Sequence, residues 1–316
     1  MPTSLSIGVD IGGTNTKIGV VDENGAILLQ HKTATDSHQG CHAIAASIVG
    51  SIDSMLKEAG IRREQITGIG VGVPGTADSD KGAVVYAPNL AWRNVPIVAA
   101  IRRLFPVPVY IAQDTRAAAW AEYMVGSERG LRSIAAVTLG TGIGCGMVLD
   151  GAIFHGGLNT AGEFGHQIVQ LNGECCNCGR RGCLEAYAGG LAIVREAKKR
   201  IPNIGVQLKK NASAVTVADV YQLAGQGNPD ALRLAQQVVQ YIGIGLVNLI
   251  NLNSIEAVCI SGGISSAPAP LLLDPLLEFV RARVYQEIAG KVRLCRSTLG
   301  EDAPLIGASL LYRAAN

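Results

Sequence analysis

Residues 6–22 read Ser6-Ile7-Gly8-Val9-Asp10-Ile11-Gly12-Gly13-Thr14-Asn15-Thr16-Lys17-Ile18-Gly19-Val20-Val21-Asp22. This stretch is typical of an apolar strand, a glycine turn and a second strand, and Glu23-Asn24-Gly25 marks a further hairpin turn. Glycine permits positive φ and close backbone approach, so the turn at Gly12-Gly13 can aim successive N–H groups at an anion. Asp10, at the end of the first strand, can hold a hydrated Mg²⁺. The stretch indicates a phosphate-binding hairpin, although a glycine-rich turn on its own is more often only a tight turn.

The same plan recurs in the second half of the chain. An apolar run over 135–139 leads into Gly140-Thr141-Gly142, and another follows over 147–151. A third glycine pair, Gly262-Gly263, follows the run 257–261 and can let a nucleotide base and ribose lie flat on the backbone. A duplication of this kind puts two glycine turns face to face across a cleft. Together the turns indicate a site for the phosphate tail of a nucleotide.

Strands alternate with helices after each hairpin, which argues for α/β domains. The periodicity predicts strands over 66–73, 107–112 and 257–261. It predicts helices over 43–59, from 115, over 191–200, 215–224, 229–250 and 270–289, and from 303, the last carrying Tyr312 and packing on the first domain.

Composition excludes several classes of protein. A length of 316 residues suggests two domains, and a formal net charge of +2 does not indicate nucleic-acid binding. No apolar run approaches the ~20 residues that span a bilayer, and no secretory signal is visible, so we expect a cytoplasmic protein. Neither the P-loop motif nor the dinucleotide fingerprint is present, which argues against a P-loop NTPase and a dehydrogenase.

A cluster of metal-binding residue types lies between Glu163 and Glu185. A structural zinc ion takes four thiolate or imidazole ligands in a tetrahedron, and the stretch offers His166, Cys176, Cys178 and Cys183. The alternative readings are buried thiols, or a disulfide in a secreted protein. Without an oxidising compartment, clustered cysteines are expected to bind metal rather than to pair. Cys175 is the spare thiol, and an exchange with Cys176 stays open; Cys41, Cys145, Cys259 and Cys295 are expected to be small core side chains.

Several motifs in this order resemble the ROK family (repressors, open reading frames, kinases), within the actin-like ATPase architecture. The stretches that carry the resemblance are 10–14, Gly72-Val73-Pro74-Gly75, 139–144, 161–166 and 176–185. The resemblance implies two duplicated actin-like ATPase (ribonuclease H-like) domains around a cleft, with a zinc-binding insert in the second. We expect an N-terminal domain over 1–115, joined by a C-terminal helix over 302–316, and a C-terminal domain over 116–301 with the zinc motif at 163–185.

The resemblance also implies a kinase that moves the γ-phosphoryl group of ATP to a sugar hydroxyl, usually O6 of a hexose. Asp114 matches the family's catalytic base, which must take the hydroxyl proton, although a helix N-cap is the alternative role. The expected ATP-binding residues are Asp10, Gly12, Gly13, Thr14, Asn15, Lys17, Thr141, Gly142, Gly262 and Gly263. The expected sugar-binding residues are Gly75, Asn89, Gln113, Asp114, Glu163, His166 and Glu185; for Glu163, His166 and Glu185 a purely structural role around the metal is the alternative.

The chain departs from the family pattern beside the base. The family usually has Asn-Asp followed two places on by Asn, whereas this chain has Gln113-Asp114-Thr115-Arg116. Gln113 can re-aim a hydrogen bond to the sugar, and Arg116 either brings a charge to the site or faces solvent on its helix. Glucose is the leading acceptor, with N-acetylmannosamine, another hexose, an amino sugar or a cyclitol open, and either ATP or polyphosphate as donor.

Two further classes of function are weighed against the kinase. The family's repressors carry an N-terminal helix-turn-helix domain, for which the early start of the first strand leaves no room. A sugar-binding regulator or degenerate kinase without turnover is the other alternative, because of Gln113 and Arg116. The resemblance implies a small-molecule sugar substrate and a homodimer, and the charge and the apolar runs of the chain indicate no nucleic-acid or membrane partner.

Overall fold

The computed structural model describes residues 4–314, which cluster into two compact units. The first unit comprises the residues up to Gly130, Gly146–Ala161 and the residues from Glu301 onward. The second comprises Leu131–Cys145 and Gly162–Gly300. Residues 116–130 and 146–161 therefore group with the first unit. The sequence instead predicts a domain boundary at residue 115, and this division into functional domains remains a prediction.

The strands alternate with helices along the chain. The strands are β1 (Leu5–Ile11), β2 (Asn15–Val21), β3 (Ile27–Ala34), β4 (Ile66–Val73), β5 (Thr76–Asp78), β6 (Ala83–Ala87), β7 (Trp92–Val95), β8 (Val109–Gln113), β9 (Ile134–Leu139), β10 (Ile143–Leu149), β11 (Ala152–Ile153), β12 (Ala257–Ser261) and β13 (Arg293–Arg296). The helices are α1 (Cys41–Glu58), α2 (Ile97–Leu104), α3 (Asp114–Val125), α4 (Glu185–Ala188), α5 (Gly190–Arg200), α6 (Ile204–Gln207), α7 (Val217–Gly225), α8 (Pro229–Asn253), α9 (Leu273–Arg281), α10 (Gln286–Ala289) and α11 (Ala303–Ser309).

The sheet of the first unit has the strand order β3-β2-β1-β4-β8. Strands β1, β2 and β3 pair antiparallel, and β1, β4 and β8 pair parallel. The central strand β1 buries the side chains of Ile7, Val9 and Ile11 completely, because helices cover both faces of a parallel sheet. Asp10 is the register partner of Gly72, which in turn pairs with Ala112, so the carboxyl ends of three parallel strands lie side by side.

The second sheet repeats this plan with the order β11-β10-β9-β12-β13. Strands β9, β12 and β13 pair parallel, and Val148 and Leu149 at the end of β10 pair antiparallel with β11. In each sheet the first strand of the set lies in the middle, with a hairpin on one side and parallel strands on the other. The mixed α/β fold predicted from the sequence is confirmed.

The C-terminal helix α11 packs on the first sheet at backbone contact. A Cβ on Gly70 of β4 would overlap the carbonyl of Ala308, and one on Gly8 of β1 would overlap that of Leu305. Glycine at these two positions thus lets the helix lie directly on the strands. The indole of Trp120 in α3 donates a hydrogen bond to Leu310 O at 2.9 Å and holds the end of the same segment.

The structure corrects the sequence-based prediction of one long helix over 270–289. A 3₁₀ turn (Ala269–Leu271) comes first, and α9 and α10 are separate helices. The interruption falls where the N–H of Tyr285 donates to Asn251 Oδ1 at 2.9 Å instead of to a carbonyl of its own helix. Tyr312 lies in a 3₁₀ turn (Leu311–Arg313) rather than in α11, and β13 and the small antiparallel sheet β5-β6-β7 were not predicted. No helix within residues 4–314 is long and apolar enough to cross a membrane.

Replacing Gly70 with alanine should lower the free energy of unfolding by about 3 kcal/mol or more, because the new Cβ cannot fit beside Ala308. Gly50→Ala is the matched control: Gly50 is exposed on α1 with nothing within 4 Å of its Cβ position, so this change should stabilise by roughly 0.5–1 kcal/mol. Urea unfolding measures both variants. Equal midpoints for the two would contradict the close packing of α11.

Candidate active site

Two carboxylate residues meet at the parallel strand ends of the first unit. A Cβ placed on Gly72 would lie 3.8 Å from Asp10 Oδ1 and 3.8 Å from the Cα of Asp114. The two atoms are therefore at most twice that distance apart, although the residues come from β1 and from the start of α3. The carboxyl ends of parallel strands are where α/β sheets commonly build their binding sites. The structure brings the predicted metal-binding carboxylate and the predicted base into one region.

Burial controls the charge of Asp10. Desolvation raises the pKa of its carboxyl from 3.8 to about 6; Lys17, its register partner on β2, works against this shift, and Asp302 adds to it. An ionised carboxylate in such a place is costly unless a cation lies beside it. A hydrated Mg²⁺ needs only one or two protein carboxylates, since water and phosphate oxygens complete its shell. Asp10 fits that role.

Lys17 is engaged within the first unit. Its ammonium forms an ion pair with Asp302 Oδ1 at 3.2 Å and donates to the carbonyl of Glu301 at 3.0 Å. Gln30 also donates to Asp302, at 3.0 Å. The predicted ATP-binding lysine thus contacts the segment that begins α11, and its charge is shared with Asp302.

The first glycine turn is tight and open to solvent. The N–H of Gly12 donates to Asn15 O at 2.9 Å, which closes the turn, while Gly13, Thr14 and Asn15 are exposed. A Cβ on Gly13 would lie 3.5 Å from the Cβ of Asn89, which sits in the 3₁₀ turn Pro88–Leu90. Asn89, predicted to bind sugar, therefore lies beside the predicted phosphate turn. Gly75 has φ +81° and faces the backbone of Tyr86 in β6.

Asp114 is the first residue of α3 and is half-buried. Its Oδ1 accepts the N–H of Thr115 at 2.7 Å. Gln113 occupies the N-cap position in an extended conformation and makes no capping bond with its side chain. Both predicted site residues therefore lie at the end of β8, the strand next to β4.

In the second unit, Glu185 holds the turn at 140–142. The N–H of Ile143 donates to Glu185 Oε2 at 2.8 Å, and a Cβ on Gly142 would lie 2.5 Å from the same oxygen. A residue predicted to bind sugar thus contacts the backbone of the predicted phosphate turn. Sequence reasoning missed this link, because the two residues are far apart in the chain and only the folded unit joins them.

The third glycine turn lies beside the same strand end. Ser261 pairs with Thr138, and their hydroxyl oxygens are 3.2 Å apart. Gly262 has φ +85°, and a Cβ there would overlap the backbone of Leu139. Thr141 and Gly263 are exposed. The predicted nucleotide-binding residues of this unit therefore follow two neighbouring parallel strands.

The four predicted metal ligands come together. The ligand atoms of His166, Cys176, Cys178 and Cys183 all lie within 4.8 Å of one another. Cys176 Sγ is 3.7 Å from His166 Nδ1, and the sulfurs of Cys178 and Cys183 are 3.7 Å apart. Zn–S bonds of about 2.3 Å hold tetrahedral sulfurs roughly 3.8 Å apart, so the arrangement fits zinc. The cysteines are free thiols, and these separations are far longer than a disulfide bond of about 2.05 Å.

The backbone around the cluster explains its shape. Gly179 and Gly182 have φ +83° and +81°, so both bends between the last ligands use the left-handed conformation that favours glycine. Cys175 is exposed and lies outside the group of four. His166 Nε2 is 3.9 Å from Glu163 Oε2, so the ring has one nitrogen toward the thiols and the other near a predicted sugar-binding residue.

Arg116 differs from one expectation drawn from the sequence. It does not face solvent, since only 2% of it is exposed, and it donates to Asn159 Oδ1 and to the carbonyls of Asn159 and Ala161, each at 3.0 Å. The run Ala117-Ala118-Ala119-Trp120, which is buried throughout, was a signal that this part of the helix lies in the interior.

Comparison with known proteins identifies the group. The ROK family domain matches residues 6–315. The chain belongs to the ROK family. A glucokinase of Streptomyces coelicolor is 34% identical over 317 residues, covering 98% of this chain and 98% of that protein. The crystal structure of a ROK family glucokinase from Streptomyces griseus, in complex with glucose and AMPPNP, has a TM-score of 0.81 at 33% identity and covers 97% of this chain and 98% of that chain.

Regulators of the ROK family are related as well. The xylose repressor of Bacillus subtilis is 28% identical over 304 residues, covering 96% of this chain and 76% of the repressor. The glucokinase and hexokinase relatives nevertheless confirm the predicted class, an ATP-dependent sugar kinase of the ROK family.

Replacing Asp10 with asparagine should stabilise the protein at pH 8 by about 3 kcal/mol when Mg²⁺ and nucleotide are absent. The folded state favours the neutral carboxyl of Asp10 because its pKa is raised. The resulting stabilisation is complete below pH 3.8 and is lost as the pH rises through about 6. The gain of the variant should therefore vanish near pH 4.

Urea unfolding of the wild type and Asp10→Asn at both pH values measures the difference. Asp80→Asn, at an exposed aspartate, is the control and should not reproduce the gain in stability of Asp10→Asn at pH 8. A wild type as stable as Asp10→Asn at pH 8 would contradict the burial argument.

Proposed function

We propose that this sugar kinase transfers the γ-phosphoryl group of ATP to O6 of a hexose, with glucose as the leading acceptor. The observation that carries the proposal is the pair Asp10 and Asp114 on either side of Gly72, next to an open glycine turn. Phosphoryl transfer needs a cation beside the phosphates and a base beside the attacking hydroxyl, and the pair supplies both roles. The full-length similarity to glucokinases supports glucose as the acceptor.

In the mechanism we assign, Asp114 accepts the proton of the attacking hydroxyl as its oxygen bonds to the γ-phosphorus, and the bond from that phosphorus to the β-phosphate oxygen breaks, so that ADP leaves. Asp10 would hold Mg²⁺, which would neutralise charge on the phosphoryl oxygens. The N–H groups of the glycine turns orient the phosphates. The residues assigned to ATP are Asp10, Gly12, Gly13, Thr14, Asn15 and Lys17 in the first unit and Thr141, Gly142, Gly262 and Gly263 in the second.

Sugar binding is assigned to the residues predicted from the sequence, Gly75, Asn89, Gln113, Asp114, Glu163, His166 and Glu185. Gln113 sits at the end of β8 and its side chain makes no capping bond, which supports the assignment of its amide to a sugar hydroxyl. Its extra methylene relative to the usual asparagine keeps N-acetylmannosamine, another hexose, an amino sugar and a cyclitol as alternative acceptors.

We further propose a structural zinc ion at His166, Cys176, Cys178 and Cys183. The separations of the ligand atoms support it. The ion would join the chain at His166 to the chain at Cys176–Cys183. It would thereby fix the ring of His166 and the nearby Glu185, which begins α4 two residues after Cys183. A cytoplasmic homodimer that contacts neither nucleic acid nor membrane remains the prediction from the sequence.

A sugar-binding regulator, or a degenerate kinase without turnover, is the second candidate. The similarity to xylose repressors favours it, because one fold can host different functions. Turnover separates the two candidates.

Asp114→Asn should lower kcat by roughly 10²–10⁴-fold and leave the sugar KM within a small factor, because the amide keeps the shape but cannot accept the proton. ATP consumption is measured with glucose, mannose, N-acetylmannosamine, glucosamine and inositol, and polyphosphate is tested as donor. Wild-type turnover with every sugar no faster than that of the variant would reject the kinase mechanism and favour the regulator.

Cys178→Ser should release zinc and raise the sugar KM about tenfold, well before the first unit loses stability. Cys175→Ser is the matched control, since Cys175 is exposed and outside the group of four ligands. Metal content and sugar KM are measured on the same samples. A zinc-free Cys178→Ser protein with an unchanged sugar KM would count against a supporting role for the metal.

A further inference from the structure

Arg116 is a long charged side chain in the interior of the first unit. Only 2% of it is exposed, and it is among the largest fully buried side chains of the protein. It lies in the first turn of α3, two residues after Asp114. A guanidinium is expensive to bury unless hydrogen-bond acceptors surround it, so the fold must supply them.

The acceptors come from one short segment, residues 155–161, which we call loop 155–161. One terminal nitrogen of Arg116 donates to Asn159 Oδ1 at 3.0 Å and lies 3.4 Å from His155 Nδ1. The other donates to the carbonyls of Asn159 and Ala161, both at 3.0 Å. One arm of the planar guanidinium thus holds two backbone oxygens of the loop, and the other arm holds the side chain of Asn159.

Loop 155–161 is also closed on itself. The N–H of Ala161 donates to His155 O at 3.1 Å, and that of Asn159 to Gly156 O at 3.1 Å. Asn159 has φ +56°, a left-handed conformation that asparagine tolerates better than most residues. Burial, and then the charge of Arg116, lower the pKa of His155, so a neutral imidazole faces the guanidinium without repulsion.

The same loop contacts the segment after Gly75. Asn159 Nδ2 donates to the carbonyl of Ala77 in β5 at 2.7 Å. Arg116 therefore connects three segments of the first unit through one set of hydrogen bonds: α3, which begins with Asp114; β5, which directly follows Gly75; and loop 155–161. Asp114 and Gly75 are both assigned above to the acceptor sugar.

We propose that Arg116 is a positioning residue for the acceptor sugar: it fixes loop 155–161 and β5 relative to α3, and so sets the spacing of the sugar-binding residues around the base. This inference rests on the proposed function. The proposal gives a role to Arg116, which stands where the family usually has asparagine. The single amide of an asparagine cannot reach all three oxygens that accept from Arg116, two from Asn159 and one from Ala161. Arg116 need not touch the sugar.

The test compares Arg116→Ala, Arg116→Lys and the control Arg103→Ala, an exposed arginine of α2. The sugar KM of Arg116→Ala should rise about 10- to 100-fold, because a small displacement of sugar-binding groups is costly, while the ATP KM stays within about twofold. Lysine should restore part of the loss, since an ammonium has fewer donors and no fork. Methylguanidinium added to Arg116→Ala should lower the sugar KM and leave Arg103→Ala unchanged.

Asn159→Ala provides a second, milder variant in case Arg116→Ala does not fold. It removes the side-chain bonds to Arg116 and Ala77 and should raise the sugar KM in the same direction. The inference is overturned if Arg116→Lys and Asn159→Ala leave the sugar KM unchanged, or if the sugar and ATP KM rise equally.

Equilibrium glucose binding by the same variants distinguishes a failure of the proposed function from a failure of this inference. A wild type that binds glucose without turnover refutes the kinase. A glucose Kd unaffected by these substitutions refutes the role of Arg116.

Discussion

The structure depends on one constraint: β1, β4 and β8 end side by side, with α11 packed against the sheet. Gly72 lies beside both Asp10 and the start of α3, and Gly8 and Gly70 let α11 lie on the same strands at backbone contact. The carboxyl of Asp10, at the end of β1, is buried, and this burial raises its pKa. The same packing that stabilises the first unit thus creates a carboxylate in need of a cation, which is the chemical starting point for binding a metal-bound phosphate.

In the second unit, a carboxylate also lies beside a glycine turn at the strand ends, but there it accepts a backbone N–H. Its glycine turns follow β9 and β12, and the carboxylate of Glu185 satisfies the N–H of Ile143 where the first of these turns rejoins β10. Glu185 follows Cys183 by two residues, so the residue that accepts the N–H of Ile143 lies close in sequence to the cysteine and histidine cluster. The proposed zinc ion would act through residues that adjoin its ligands and would not touch a reacting atom.

The bounds of strands and helices could be predicted where one pattern of apolar residues covers the whole element. They could not be predicted where a contact with a distant residue ends the element. Strands 66–73 and 257–261 were predicted at their observed bounds because apolar runs between turns leave few alternatives. The helix predicted over 270–289 is broken because Asn251, from another helix, takes the N–H of Tyr285. The clustering of His166, Cys176, Cys178 and Cys183 could be predicted from their spacing. The link from Glu185 to Ile143 and the buried fork of Arg116 could not, since each joins segments that no local pattern relates.

The central claim is that the fold holds Asp10 as a buried carboxylate ready for a metal-bound nucleotide. The most direct test is a ¹³C NMR titration of the Asp10 carboxyl in aspartate-labelled protein, assigned with Asp10→Asn, with and without Mg²⁺ and a non-hydrolysable ATP analogue. The account predicts a midpoint near pH 6 in the free protein and a clear downward shift when the metal and nucleotide bind. A midpoint near 3.8 in the free protein, or one that does not move on addition of Mg²⁺ and the analogue, would contradict it.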